Sequence, residues 1–432
     1  MRKILLSTIA SIASSLALGT IANAQSITPT DIAPGTVVVR LNGHVNWYVG
    51  TEGSSADHIN GTKTSTVSSF GYLRLYPAVD GVTTSGVHYG AAAEIRENIA
   101  ASPGTDTNTN TLYAFQAYSY LGIPKFGQLS FGQQNGPVVL FMTGNFENFS
   151  DGGWAGDIPV LIPSAARPAY PFVNSNFDQT TNKVVYVSPN FNGFQFGLGF
   201  TPNQVLASYT QPITSTNLPV FESSGGQPKN LIDVGGQMTR QLGAVAVQVG
   251  ADYQYASRVN YTGSMAAVNG LSYRKHLGIF SGGVTATVGG FSAGGNLVYG
   301  AFNGGAGTGS FQLVPNGGSD AIGYLLGAEY TYGPFVVGSH FFHFNTTGAL
   351  PGGVDSGSSV GMTSQGLTSG QQVNYGFAAG ATYNLAPQVK LYADYLYGWR
   401  RQGGYDFLTG DAGTQHNRVQ SQLIGVGTQL QW

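Results

Sequence analysis

Residues 37–50, VVVRLNGHVNWYVG, sort their side chains into two sets by alternate positions. Val37, Val39, Leu41, Gly43, Val45, Trp47 and Val49 form one set; Val38, Arg40, Asn42, His44, Asn46 and Tyr48 form the other. A period of two marks a β-strand, because successive side chains leave opposite faces of the pleat. Ordinary strands run about 5 to 6 residues, whereas a tilted strand that crosses a bilayer takes about 9 to 11. Length and sorting together predict a strand with its apolar side toward lipid and its polar side toward water.

The pattern recurs along the chain. In GVHYGAAAEIREN (86–98), Val87, Tyr89, Ala91, Ala93 and Ile95 oppose His88, Glu94 and Arg96. GAVAVQVGADYQY (243–255), QVNYGFAAGATYN (372–384) and QVKLYADYLYGWR (388–400) alternate in the same way. A dyad repeat of this length, sustained over the chain, is the signature of a transmembrane barrel. The connections carry a second signal. Tight turns at 122–127, 188–193, 241–243, 288–290, 332–334 and 385–388 alternate with long polar stretches at 51–66, 99–110, 135–181, 202–229, 258–270, 302–319, 346–370 and 401–417. Such alternation is expected where hairpins turn tightly on one side of the membrane and spread into loops on the other. The count between them predicts an all-β, antiparallel barrel of about sixteen strands in a single domain, 25–432.

Composition points the same way. Charged residues are 9% of the chain, against about 25% in an ordinary globular protein. No stretch beyond the first residues approaches the roughly 18 apolar residues of a membrane-spanning helix, and a closed barrel is the other structure that satisfies every backbone group in lipid. The 64 Gly, 24 Tyr and 24 Phe suit a barrel with aromatic girdles. There is no Cys, so no disulfide holds the fold.

The first residues, MRKILLSTIASIASSLALGTIANAQ, combine a basic start, an apolar run and a small-residue end, which predicts a cleaved export signal over 1–24. Without Arg2 and Lys3 the basic count falls from 18 to 16 against 20 acidic residues, a formal charge of −4. That balance does not suggest a nucleic-acid partner.

Two hairpins, YAFQAYSYLGIPKFGQLSFGQQN (113–135) and KVVYVSPNFNGFQFGLGF (183–200), resemble those of the Gram-negative general porins. The resemblance extends over nearly all of the mature chain. It implies a homotrimer of sixteen-stranded barrels in the outer membrane, contacting lipid and passing small hydrophilic solutes and ions passively. It also implies that 135–181, the long third loop, folds into the lumen and narrows it. The final strand, QSQLIGVGTQLQW (420–432), ends in an aromatic residue on the apolar face, similar to the signal read by the barrel assembly machinery, with Trp432 where Phe is commoner.

By parity Arg40, Arg74 and Arg96 point into the lumen, and Glu147, Asp151 and Asp157 lie on the loop. The resemblance implies that these groups oppose one another across the constriction and set up a transverse field. A competing expectation is that the arginines pair with wall neighbours such as Glu94. A substrate-selective channel, for example for sugars, is the alternative on the same barrel, with Tyr48, Tyr72, Tyr76 and Tyr392 available by parity.

Catalytic signatures are weak. GFSAG (290–294) and GSSVG (357–361) match Gly-x-Ser-x-Gly, but neither has the strand before and helix after that a nucleophile elbow requires. GGAGTG (304–309) lacks the Lys of a phosphate cradle. His340 and His343 are three apart and fall on opposite faces of a strand. The reading is a channel, not an enzyme, with no metal or cofactor.

Overall fold

A computed structural model describes residues 32–59, 61–97, 112–172, 180–203, 229–257, 275–304, 311–312, 314, 318–348 and 370–432. The proposed signal, 1–24, lies outside them. Sixteen strands form the main sheet: β1 (Thr36–Ser54), β2 (Val67–Val82), β3 (His88–Glu97), β4 (Leu112–Ile123), β5 (Gly127–Gln134), β6 (Thr181–Val187), β7 (Phe194–Asn203) and β8 (Lys229–Leu242). The second half comprises β9 (Val245–Ser257), β10 (Leu277–Val288), β11 (Phe291–Ala301), β12 (Ala321–Tyr332), β13 (Phe335–Thr346), β14 (Gln372–Ala386), β15 (Val389–Gln402) and β16 (Arg418–Gln431). Each strand pairs with its sequence neighbours, and β1 pairs with β16 to close the barrel. All of these pairings are antiparallel. Closure removes the unpaired edges that an open sheet would present. Among the described residues no helix is long and apolar enough to cross a membrane.

The faces follow the period of two. Val39, Leu41, Val45 and Trp47 are exposed, while Asn46 and Tyr48 on the same strand are buried. Cross-strand register preserves the sorting: Val45 pairs with Leu73 and Leu430, and Val49 with Val426. Exposed Tyr253, Tyr255, Phe280, Tyr299, Ile424 and Val426 continue the outer apolar surface on other strands.

Tight connections alternate with long ones. The two-residue turns at 243–244, 289–290 and 333–334 each begin with a glycine at positive φ (63°, 56° and 55°), as the twist of a tight hairpin requires. One tight turn, 83–87, lies outside the six expected from sequence. It is closed by Thr83, whose backbone carbonyl and hydroxyl accept from Gly86 N and Val87 N, both at 2.9 Å. At the closing seam Gly43 and Trp432 exchange two backbone hydrogen bonds (3.2 and 3.0 Å). A Cβ on Gly43 would stand 2.5 Å from the Trp432 indole, so glycine is what lets the ring lie on the seam.

Candidate functional site

Between β5 and β6 the chain departs from the hairpin pattern. Residues 136–172 form four short helical turns, Pro137–Leu140, Gly153–Ala155, Ile158–Leu161 and Ser164–Ala166. Pro137 and Pro159 stand in the first positions of two of them, where a missing N–H costs nothing. The segment contacts side chains that alternate with the exposed apolar set, and does so in strand order. Val138 N donates to Asp233 on β8 (3.1 Å). Thr143 accepts from Gln237 on β8 (3.0 Å) and Asn296 on β11 (2.9 Å). Asn148 donates from backbone and side chain to the Glu329 carboxylate on β12 (2.8 and 3.1 Å). Ser150 N donates to Thr382 on β14 (2.7 Å).

The path then reaches the seam strands. The Tyr48 hydroxyl on β1 donates to Asp151 (2.6 Å), whose other oxygen accepts from the backbones of Asp157 (2.6 Å) and Ile158 (2.9 Å). Arg74 on β2 donates to both oxygens of Asp157 (2.8 and 2.9 Å), which Tyr72 also reaches. On the return, Arg400 on β15 donates to the carbonyls of Ser164 (2.9 Å) and Ala165 (2.8 Å). Ala169 N donates to Asn374 on β14 (3.0 Å).

Close approach is possible because the covered wall is low. A Cβ on Gly327 would stand 2.7 Å from Phe146, and one on Gly398 2.6 Å from the Trp154 ring. Trp154 is buried, donates to the Phe377 carbonyl (3.1 Å) and packs edge-on against Phe342. His340 faces inward, linking the Phe146 carbonyl (3.0 Å) to Trp154 N (3.4 Å), while His343 lies against Tyr324 and Tyr375 of its neighbouring strands.

The wall of β1–β4 differs. His44, Arg74 and Arg96 stand in register across β1, β2 and β3. Arg40 pairs with the buried Asp80 (2.6 Å), which also accepts from Tyr120. Arg96 pairs with the buried Glu94 (2.6 Å), which also accepts from Gln116 (3.1 Å), and its guanidinium lies 3.3 Å from the Phe115 ring centre.

Within the segment, burial and then the neighbouring Glu329 push Glu147 up to about 8. Burial and Asp157 raise Asp151 as well. Burial is the strongest influence on Asp157 and acts to raise it, but the Arg74 guanidinium, the Tyr72 hydrogen bond and Arg96 together outweigh it and hold this carboxyl below its ordinary value.

The sequence-derived candidates therefore divide. Arg74 and Asp157 meet. Arg40 and Arg96 meet wall carboxylates, Asp80 and Glu94. Asp151 meets Tyr48, and Glu147 lies 3.5 Å from the Tyr170 hydroxyl. Tyr48, Tyr72 and Tyr392, which share inward parity, are buried, and the Tyr48 ring stacks with Phe70 and Tyr392. Sequence reasoning did not select Glu329, Thr382 or Arg400. The inward glycines of β12–β16 were the available sign of a body packed there.

Ser292 of GFSAG lies in β11, paired with Thr287 (2.8 Å). GSSVG (357–361) and residues 305–309 of GGAGTG lie outside the described residues. Among the described residues no cluster of three metal-ligating side chains occurs.

A closed sixteen-strand barrel, apolar outside and polar within, defines a membrane channel architecture. The Gram-negative porin family profile matches residues 9–402, and the chain belongs to that family. Among solved structures it is similar to an anion-selective porin from Comamonas acidovorans (16% identity, 92% of this chain and 100% of that one, TM-score 0.55). It is also similar to a loop L8 deletion mutant of OmpT, an outer membrane protein of Vibrio cholerae (12%, 92% and 99%, 0.55). The trimer form of in-vitro folded OmpT matches as well (13%, 92% and 100%, 0.51). At these identities the likeness concerns the fold. No curated protein sequence matches the chain. The chain is an outer-membrane porin, a channel for passive diffusion.

Proposed function

We propose that the mature chain, 25–432 after removal of 1–24, works as a homotrimeric general-diffusion pore whose passage is narrowed by the third loop, 135–181. Arg40, Arg74, Arg96, Glu147, Asp151 and Asp157 are its constriction residues. The observation that carries the reading is the Arg74–Asp157 pair, in which Nη2 of the guanidinium donates to both carboxylate oxygens (2.8 and 2.9 Å) and joins the loop to the wall of β2. The loop thereby becomes a fixed obstacle within the barrel and leaves a passage with charged sides. Small hydrophilic solutes and ions diffuse down their gradients past it, and apolar solutes are disfavoured by the field between fixed charges. Trp432 serves as the terminal signal for the barrel assembly machinery. Of the four tyrosines available to a sugar slide, Tyr48, Tyr72 and Tyr392 are buried and Tyr76 is half-buried, which supports an open pore over a sugar channel with an aromatic slide.

The test is single-channel current from the purified, refolded mature chain in a planar bilayer. Stepwise ohmic conductance arriving in threes, unaffected by sugars, is the expected result. Concentration-dependent block by a sugar would replace the general pore with a selective one. Silence from a demonstrably folded barrel would remove the diffusion reading.

A further inference from the structure

The basic row His44, Arg74 and Arg96 sets two guanidinium-bearing residues directly opposite each other across β2 and β3. Like charges so placed repel, so stability alone disfavours the arrangement. Arg40 lies on the same face of β1, opposite Ala78, and extends the charge along the wall.

The accompanying carboxylates are not equally wet. The Arg40 side chain is 26% exposed and its partner Asp80 2%. Arg96 is 21% exposed and Glu94 0%. In both pairs the carboxylate is sunk into the wall, held by Tyr120 or Gln116, and the guanidinium is the end that meets water. In the third pair the order is reversed, 15% for Arg74 and 31% for Asp157, but Nη2 of Arg74 donates to both oxygens of that carboxylate and offsets its charge directly. Asp233, Asp252, Glu329 and Asp394 of the remaining wall are buried. The water beside β1–β3 thus borders on the positive ends of two ion pairs whose carboxylates are buried.

We propose that this passage prefers small anions to cations, and that Arg40 and Arg96 set the preference. The inference rests on the diffusion reading and adds the charge class of the permeant solute. Fixed positive ends in a low-dielectric channel raise the local anion concentration. The effect reaches about 8 to 10 Å at ordinary ionic strength and weakens as salt is added.

The measurement is the zero-current potential of the reconstituted trimer between unequal KCl concentrations, read as a chloride-to-potassium permeability ratio. A ratio above one is expected, falling as total salt rises. Arg40→Gln and Arg96→Gln should each lower it by about twofold, and Glu94→Gln should raise it. Because Arg96→Gln leaves Glu94 buried without its cation, the Arg96→Gln/Glu94→Gln pair is measured beside it. It should also fall below the unsubstituted protein. Arg418→Gln, an exposed change against Trp399 at the start of β16, should leave the ratio unchanged. A conducting channel with a ratio at or below one overturns the proposal, as does a ratio insensitive to both arginines. A folded barrel that carries no current overturns the diffusion reading instead.

Discussion

The inner wall is built in two ways around one barrel. From β8 to β16 the inward positions are dominated by small or uncharged groups, with glycines at 327, 338, 376, 398 and 425 that face the bulky side chains of the third loop. Across β1–β4 they carry Arg40, Arg74, Asp80, Glu94, Arg96 and Tyr120, engaged in ion pairs and hydrogen bonds. The same two-residue period thus serves two physical ends. One side is shaped by volume, so that a folded segment can lie on it. The other is shaped by charge, which water and solute can feel. The contrast implies that steric changes matter most on the covered side and charge changes most on the other.

Filling the covered side gives the largest expected effect. Gly327→Leu places new atoms where Phe146 lies, and Gly398→Val places them in the Trp154 ring. Overpacking of this kind costs about 1 to 3 kcal/mol. The strands retain their ladders, so the expected outcome is a folded barrel with a displaced loop. Single-channel conductance should change by about twofold or more, and the loop should become open to protease. Unchanged conductance and protection in both variants would break the distinction between the two halves.

The junction between the halves comes next. Asp157→Asn and Arg74→Gln each remove a charge-assisted contact, worth about 1.5 to 3 kcal/mol. The double variant should cost less than the two singles together, because neither partner is then left without its counter-charge. Thermal resistance of the refolded barrel and open-channel noise measure the two consequences. Strict additivity would mean that the pair does not hold the loop.

These tests separate what the sequence disclosed from what it did not. Strand face was readable because it is local: Arg40 and Val39 differ by one position and so face opposite ways. Strand number followed from the alternation of turns and loops, although the 83–87 turn, marked only by Ser85-Gly86 with Gly86 at positive φ, was not among the six expected. The loop's path was not readable, since it depends on contacts such as Ser150 with Thr382 and Asn148 with Glu329, far apart in sequence. Parity identified Arg96 as inward. It also offered Glu94, two residues away on the same face, as a competing partner, and could not decide between that wall contact, which forms (2.6 Å), and a loop carboxylate. The tyrosines show the same limit: parity put Tyr48 inside the barrel, but only the loop's position decides that it is covered.

pH sharpens the comparison through Glu147. Its carboxyl, ordinarily near 4.5, is pushed up to about 8 by burial and by Glu329. The folded protein therefore keeps a proton that the unfolded chain gives up. Stability from this group is fully present below the ordinary value, is lost as pH rises toward about 8, and levels off above that. The slope can be no steeper than about 1.4 kcal/mol per pH unit. Glu147→Gln should flatten this part of the profile, measured as thermal resistance from mildly acid to mildly alkaline pH. Asp157 behaves in the opposite sense. Held low by Arg74, its contribution persists above the ordinary carboxylate range and fades only as pH falls through its depressed value.

Tyr48→Phe gives the smallest expected effect and probes where the two halves meet. The substitution keeps the ring that stacks with Phe70 and Tyr392 and removes only the hydroxyl that donates to Asp151 and accepts from Asn46 (both 2.6 Å). A hydrogen bond to a charged group is worth about 1.5 to 3 kcal/mol and a neutral one about 1. Burial raises the Asp151 carboxyl, which favours its neutral form and places the expected cost near about 1 kcal/mol. The backbone donors of Asp157 and Ile158 still hold the other oxygen, so the turn should survive and mean conductance should stay within experimental scatter. Open-channel noise should rise slightly. A loss as large as that of Asp157→Asn would instead make the tyrosine hydroxyl, and not the guanidinium, the principal tie between loop and wall.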